Sequence, residues 1–493
     1  MVYYCFTLLL YASVVAFGIS DSSSKRLEEL RKVVDRAGRV AAAKGKTDND
    51  LDFLWRLMQE IRQKQQEFEK PWLERRSSEV DTTVPSFVSW ARNHLNLEGV
   101  EIVTSKAKKQ MLFTTRNLDV NTTFLRIPRS LTVSLSEASG PFQACLDDSS
   151  PRQSVIEEEV WSVEYWQALW LSSNLFTRPE LNPYFDSLPA NPLHPIFFTP
   201  EQIRLLAGSK AYEDMVTFLQ DLVYNYAGIY LSLFNLPQKC IKYALTVETF
   251  SLDLFMWSFA IVQTRSISLP GELTLAPLLD IVQTKNEYNE DYIGINDDGT
   301  FFSVYTKKQI NAGKVMQFQS EIRDLPMNYL FTGWGILEPQ SFVLINYLLP
   351  EIDSDYDRKK GMLSSVTDSG VEGFLRISPD YPSIPVHAED LPILAVLAAG
   401  ETNTDELDKD AWVKIWTYLE NKINFSLFCY PTTLDENKEI YRNKTNKREE
   451  RAIMEFMIAE QKVLQEAATL SHNLAFQKPF LIAKEQLHSR EEL

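Results

Sequence analysis

Two runs of strand-like sequence, held apart by residues 155–262 that read mostly as aromatic-rich helix, constrain the fold of this chain most. Before the gap stand "MLFTTRNL" (Met111–Leu118) and "TTFLRIPRSLTVSL" (Thr122–Leu135), rich in Phe, Leu, Ile, Val and Thr. After it come "ELTLAPLLDIV", "YIGIN" and "TFFSVYTKKQI", ending at Ile310. Beyond Gly335 the chain reads as helical again, from "SFVLINYLL" through "REERAIMEFMIAEQKVLQEAATLSHNLAF". A sheet region split by a helical insert and followed by a helical C-terminal domain is an α+β architecture. There is no internal repeat.

The segment ahead of the strands is charged and helix-prone from Ser22 to about Arg76. Leu51, Leu54, Leu57, Met58, Ile61, Phe68 and Trp72 recur at spacings of three and four. Gly45 and "KTDND" break this helix from an earlier one beginning near Lys25. Such a pair serves as a partner-binding coiled coil or folds back onto the body of the protein, and the second is the expectation. "VPSFVSWARNH" then reads as a short helix.

At 493 residues, 44% of them hydrophobic and 12% aromatic, the chain can bury cores for two to three domains. A net charge of -17 repels phosphate backbones and argues against nucleic-acid binding. No apolar run inside the chain reaches the roughly 18 residues of a spanning helix, which argues against membrane insertion.

Both ends carry address-like features. "MVYYCFTLLLYASVVAFGIS" has an apolar run from about Phe6 to Phe17 followed by small residues, the pattern of a cleavable signal peptide at residues 1–20; a buried N-terminal helix is the alternative. Arg490, Glu491, Glu492 and Leu493 resemble the Lys-Asp-Glu-Leu retrieval signal of the endoplasmic reticulum. Two independent features pointing the same way place the mature protein in the lumen. There the sequons at Asn121, Asn424 and Asn443 become glycosylation candidates. Cys5 leaves with the signal. Cys145, Cys240 and Cys429 then form one disulfide and a free thiol, or three buried thiols.

Most familiar chemistries lack their residues. None of the five histidines (His94, His194, His387, His472, His488) lies i, i+4 from another, so no metal site is expected. No GxSxG elbow, phosphate loop or dinucleotide fingerprint occurs. "DNDLD" and "DSDYD" lack the full spacing of a calcium loop and read as solvated acidic segments.

An ordered set of motifs remains: "FVSWARNHLNLEGVEIV", "TTRNLDVNTTFLRIPRSLTVS", "WQALWLSSN", "NPYFDSLPANPLHPIFFTPEQIRLLAGS", "FMWSFAIVQTRSI", "LAPLLDIVQTKN" and "GKVMQFQSEIRDLPMNYLFTGWGIL". In this order they resemble the SET-domain methyltransferases of the Rubisco large-subunit and actin-histidine type, from about Phe87 to Leu474. The resemblance implies a β-strand core interrupted by a helical insert, then a helical substrate-binding domain. Its domains would be a helical N-terminal segment at 21–78, a SET-like domain at 79–337 with the insert at about 150–253, a helical domain at 338–482, and a tail at 483–493. Asn121 stands where the family has a turn glycine. Pro128, Arg129, Trp257, Pro277, Asp280, Gly313 and Gly333 match its scaffold.

The departures fall in the chemistry. The family's GxG cofactor motif corresponds to Lys109-Gln110-Met111, where side chains replace glycines that let the backbone approach S-adenosylmethionine. The Asn-His pair becomes Gln283-Thr284, and Gln283 keeps a carboxamide for cofactor hydrogen bonding. The family's catalytic tyrosine is Ser320, with Glu321 in place of the following glycine and Leu325 in place of an asparagine. A serine hydroxyl cannot reach where a phenol orients the acceptor amine, and a misplacement of about 1 Å costs on the order of a hundredfold in rate. Arg265 matches a family arginine; it binds an anionic cofactor group or forms a helix-end ion pair with an acidic neighbour. The expectation is a pseudoenzyme without a confident catalytic residue or a cofactor, holding a polypeptide client. The alternative is an active, divergent S-adenosylmethionine-dependent protein-lysine or histidine N-methyltransferase.

Overall fold

The computed structural model describes residues 21–45, 47–66, 83–104, 110–138, 141–149, 162–236, 238–269, 272–281, 283–284, 293–318, 325–338, 341–378, 384–442 and 447–476. Residues 1–20, Lys109, Ser320, Glu321, Asn443 and Arg490–Leu493, on which several expectations rest, lie outside these. The chain divides into two compact units: 1–192 with 219–283 and 291–318, and 193–218 with 284–290 and 319–493.

In the first unit the separated strands do find each other. Strands β1 (Asn96–Leu97), β4 (Thr123–Pro128), β9 (Ile293–Asp297) and β10 (Phe301–Thr306) form one sheet in the order β1-β4-β10-β9. Ile127 faces Phe302 and Leu125 faces Val304 across the central pair, so strands from either side of the insert share one register. Leu125, Ile127, Phe302 and Val304 are buried on one face, which pins that register, since a one-residue slip would send each to the opposite face. Smaller sheets join β2 (Val100–Thr104) to β3 (Gln110–Thr114), and β5 (Val133–Ser134) to β7 (Glu272–Leu275) and β6 (Ile267–Leu269).

The helix Leu252–Arg265, at the end of the insert, is buried from Leu252 to Gln263 except at Asp253, as expected of a helix apolar nearly all round. It packs on Ser162–Thr177. The N-terminal helices Asp21–Ala42 and Asp48–Gln65 form a hairpin folded onto this body. Gln65 Nε2 donates to Tyr226 Oη at 2.7 Å, Gln65 Oε1 accepts from Leu252 N at 3.0 Å, and Arg62 meets Asp253 at 2.8 Å. Gly38 lies so close to Ala227 that a Cβ there would stand 2.7 Å from the alanine's own. The "DNDLD" acids open the second helix, where Thr47 and Asp50 form a capping box. Cys145 and Cys240 are disulfide-bonded and Cys429 is an exposed free thiol, so three buried thiols are ruled out.

The second unit corrects one expectation. Residues 341–349 are not helical: Val343–Leu348 is strand β12, paired antiparallel with β13 (Glu372–Ile377). Val343, Ile345 and Tyr347 are buried while Asn346 and Leu348 are exposed, the period of two that marks a half-buried strand. The rest of its C-terminal part is helical, with Lys409–Phe428 packed along Arg448–Phe476.

Glu460 lies fully buried on that last helix, accepting from Ser209 Oγ at 3.0 Å and Tyr430 Oη at 2.7 Å. Gly208 makes the approach possible; its φ is +87° and a Cβ would stand 2.7 Å from the Cys429 carbonyl. Burial pushes the Glu460 carboxyl up from 4.5 to about 7, with Tyr430 and Ser209 opposing. The native state therefore holds this proton more tightly than the unfolded chain, so the contribution falls as pH rises from 4.5 through about 7. Glu460→Gln is expected to lower the unfolding free energy at pH 5 relative to pH 8 by about 3 kcal/mol compared with the parent, read from urea melts of both at the two pH values. His194, buried and held down to about 4, acts in the opposite direction, losing stability as pH falls through 6.5. Comparison with the parent cancels it.

Candidate functional site

Arg265, one of the residues singled out for cofactor chemistry, meets the turn after β7. Arg265 ends the buried helix Leu252–Arg265, and its Nη1 donates to the Asp280 carbonyl at 3.2 Å and stands 3.8 Å from Asp280 Oδ2. Tyr184, from the "NPYFDSLP" segment, donates its hydroxyl to the same Oδ2 at 3.4 Å. Burial pushes the Asp280 carboxyl up to about 6, against the pull of Arg265 and the Tyr184 hydroxyl. The Tyr184 phenol is driven well above its ordinary value by burial and the neighbouring carboxylate. Arg265 is thus a helix-end cation whose charge is met by a buried acid.

The turn that delivers Asp280 is strained. Leu278 has a φ of +72° and is fully buried, a conformation a leucine adopts only where its surroundings leave no alternative. Pro277 precedes it, and Leu279–Ile281 close a single 3-10 turn that packs against β3. Trp257, one face of the helix away, donates its indole N–H to the Pro189 carbonyl at 3.0 Å and so ties the "SLPAN" loop to the same helix.

Along β3, Gln110 and Met111 face Thr104 and Val103 in a regular antiparallel ladder, with Met111 half-buried. Gln283 opens the two-residue strand β8 (Gln283–Thr284), whose sheet neighbour is β11 (Gln317–Phe318). Gly313 sits in a left-handed turn, φ +77°, and its N–H donates to the Thr114 carbonyl at 2.7 Å. Only glycine takes that conformation without strain, so the position matches the resemblance for a physical reason. Ser320 lies outside the described residues, as does Lys109.

Asp280 and Tyr184 are the residues the sequence reading did not assign to the site. Asp280 had been recognised as scaffold without its role as the acid that meets Arg265. The signal was there in "LLD", a carboxylate directly following two leucines. Among the described residues no group of three or more His, Cys, Asp or Glu side chains is placed to hold a metal ion. Asn121 is exposed in a turn with φ +61°, as its glycine-like position implied, and Asn424 is exposed on the helix Lys409–Phe428.

Comparison with known proteins bears on the fold that carries these residues. The chain is 22% identical over 422 residues to the actin-histidine N-methyltransferase of Callithrix jacchus, covering 78% of this chain and 67% of that protein. For the counterpart from Canis lupus familiaris the figures are 22% over 487 residues, 91% and 78%. Among solved structures, the SET domain of LSMT bound to lysine and AdoHcy superposes with a TM-score of 0.60 at 16% identity, over 80% of this chain and 91% of that one. Rubisco LSMT bound to sinefungin and monomethyllysine gives 0.60 at 17%, over 79% and 92%. No family model matches the chain. The fold is that of the SET domain of LSMT, and the sequence is similar at 22% identity to actin-histidine N-methyltransferases.

Proposed function

We propose that this chain is a SET-fold pseudoenzyme of the endoplasmic reticulum lumen that binds a polypeptide and has lost ordinary methyl transfer. The observation that carries the reading is the set of sequence departures at Lys109, Met111 and Ser320, where the resemblance places the cofactor glycines and the catalytic tyrosine. Arg265 and Asp280, both matched in the family, pair within the retained scaffold. The actin-histidine methyltransferases act on a protein, which supports a polypeptide as the partner here. The net charge of -17 disfavours nucleic acid. Among the described residues no helix is long and apolar enough to cross a membrane.

The lumenal part of the proposal rests on Met1–Ser20 and Arg490–Leu493, and the Cys145–Cys240 disulfide supports it, because such bonds persist in oxidising compartments. The competing reading is an active, divergent S-adenosylmethionine-dependent methyltransferase, in which Arg265 and Gln283 help hold the cofactor.

Titration calorimetry of the purified chain with S-adenosylmethionine separates the two. No saturable heat is expected; saturable binding weakened by Arg265→Ala would favour the enzyme. In cells, residues appended after Leu493 should send the protein into the medium. A cytosolic location of the unextended chain would sink the lumenal reading.

A further inference from the structure

Phe425 and Phe428 are 65% and 85% exposed at the C-terminal end of the helix Lys409–Phe428, the two most exposed phenylalanines among the described residues. Asn424 is exposed beside them. Phe428 follows it by four residues, which places the two side chains one above the other on a single helix face. Aromatic side chains on a helix lean back toward its N-terminus, so the Phe428 ring leans toward the turn that carries Asn424 while staying exposed. Phe425 borders the same position from the next residue, and Asn424-Phe425-Ser426 is an N-linked acceptor triplet.

We propose that Asn424 carries an N-linked glycan whose inner sugars lie across Phe428 and Phe425. The carbon-bearing face of a pyranose ring is apolar and suits the face of an aromatic ring, while its hydroxyls keep the covered surface wet. A helix end with two aromatic rings in water is otherwise a site for self-association. The other described sequon lacks this environment. Asn121 is also exposed, but it stands in a left-handed turn next to Val120, with no exposed ring beside it in the chain. The inference rests on the lumenal reading, which supplies the glycosylation machinery, and adds the site and what the glycan covers.

The full chain, expressed with both its own ends in secretory cells, is mapped peptide by peptide after glycosidase treatment. Modification at Asn424 is expected. Asn424→Gln and Ser426→Ala should each lose one glycan in gel mobility, bind more of a hydrophobic dye and shift toward soluble aggregates on gel filtration. Adding Phe425→Ser and Phe428→Ser should reverse both changes. An unmodified Asn424 beside a glycan at Asn121 or Asn443 overturns this proposal and leaves the lumenal reading standing. No glycan anywhere on a cytosolic chain overturns both. A glycan at Asn424 whose removal leaves dye binding unchanged overturns its covering role, and so does a dye response in Asn424→Gln that Ser426→Ala fails to share.

Discussion

Purified chain incubated with labelled S-adenosylmethionine and tissue extract is expected to transfer methyl groups close to a thousandfold more slowly than an active SET enzyme assayed beside it. Two independent defects set that size. In the sequence, Lys109 and Met111 replace the glycines that let the backbone approach the cofactor, and Met111 pairs with Val103 in the β2–β3 ladder. Ser320 replaces the phenol that would orient the acceptor amine. If each costs about 2 kcal/mol of binding or transition-state stabilisation, the product is close to a thousandfold. The independence has its own consequence: Ser320→Tyr should restore no more than about thirtyfold, because the crowded cofactor strand remains. Label transfer by the unmodified protein, lost in Ser320→Ala, would overturn the pseudoenzyme reading and make Ser320 part of a different catalytic arrangement.

What could be read from the residues follows from the range of the forces involved. Strand existence is a local property, so β4 and β10 were visible from their own composition, and the apolar positions Leu125, Ile127, Val133, Trp257, Leu278, Leu279 and Leu330 are all buried as expected. The N-terminal hairpin was legible because an unbroken apolar stripe needs a surface to cover it, and the residues around Tyr226 and Asp253 provide one. Residues 341–349 were misread because a short apolar run fits helix and strand alike until its partner is known, and β13 lies 24 residues further on, counting from Leu348 to Glu372. Long-range polar contacts were the least visible. Arg265 was open between two roles until Asp280 and Tyr184 came together around it. Glu460 sits among Phe456, Met457, Val463 and Leu464 on its helix, and nothing in the sequence names Tyr430 and Ser209 as its partners.

Replacing both Cys145 and Cys240 by serine is expected to destabilise the first unit by about 5 kcal/mol, from the chain entropy released when a loop of this length opens. The bond spans 95 residues and fixes the helix Pro141–Ser149 to the 3-10 turn Gln238–Tyr243. A nine-residue helix has little stability of its own, so its position depends on what it is tied to. Phe142 contributes one further anchor, standing 5.0 Å from Trp170 and 4.9 Å from Tyr243 between ring centroids. Those ring contacts remain in the double variant, which is why the expected loss is large without being total. Denaturant melts of the variant and of the parent in reductant should coincide, and Cys429→Ser should match the untreated parent, since that thiol is free and exposed. The result also bears on compartment. A unit that depends on this bond gains it only where thiols are oxidised, so a double variant as stable as the parent would remove the structural support for the lumen and leave that reading on the two chain ends alone. A loss confined to the double variant and to reductant would instead tie the fold of the first unit to an oxidising compartment, as the lumenal proposal requires.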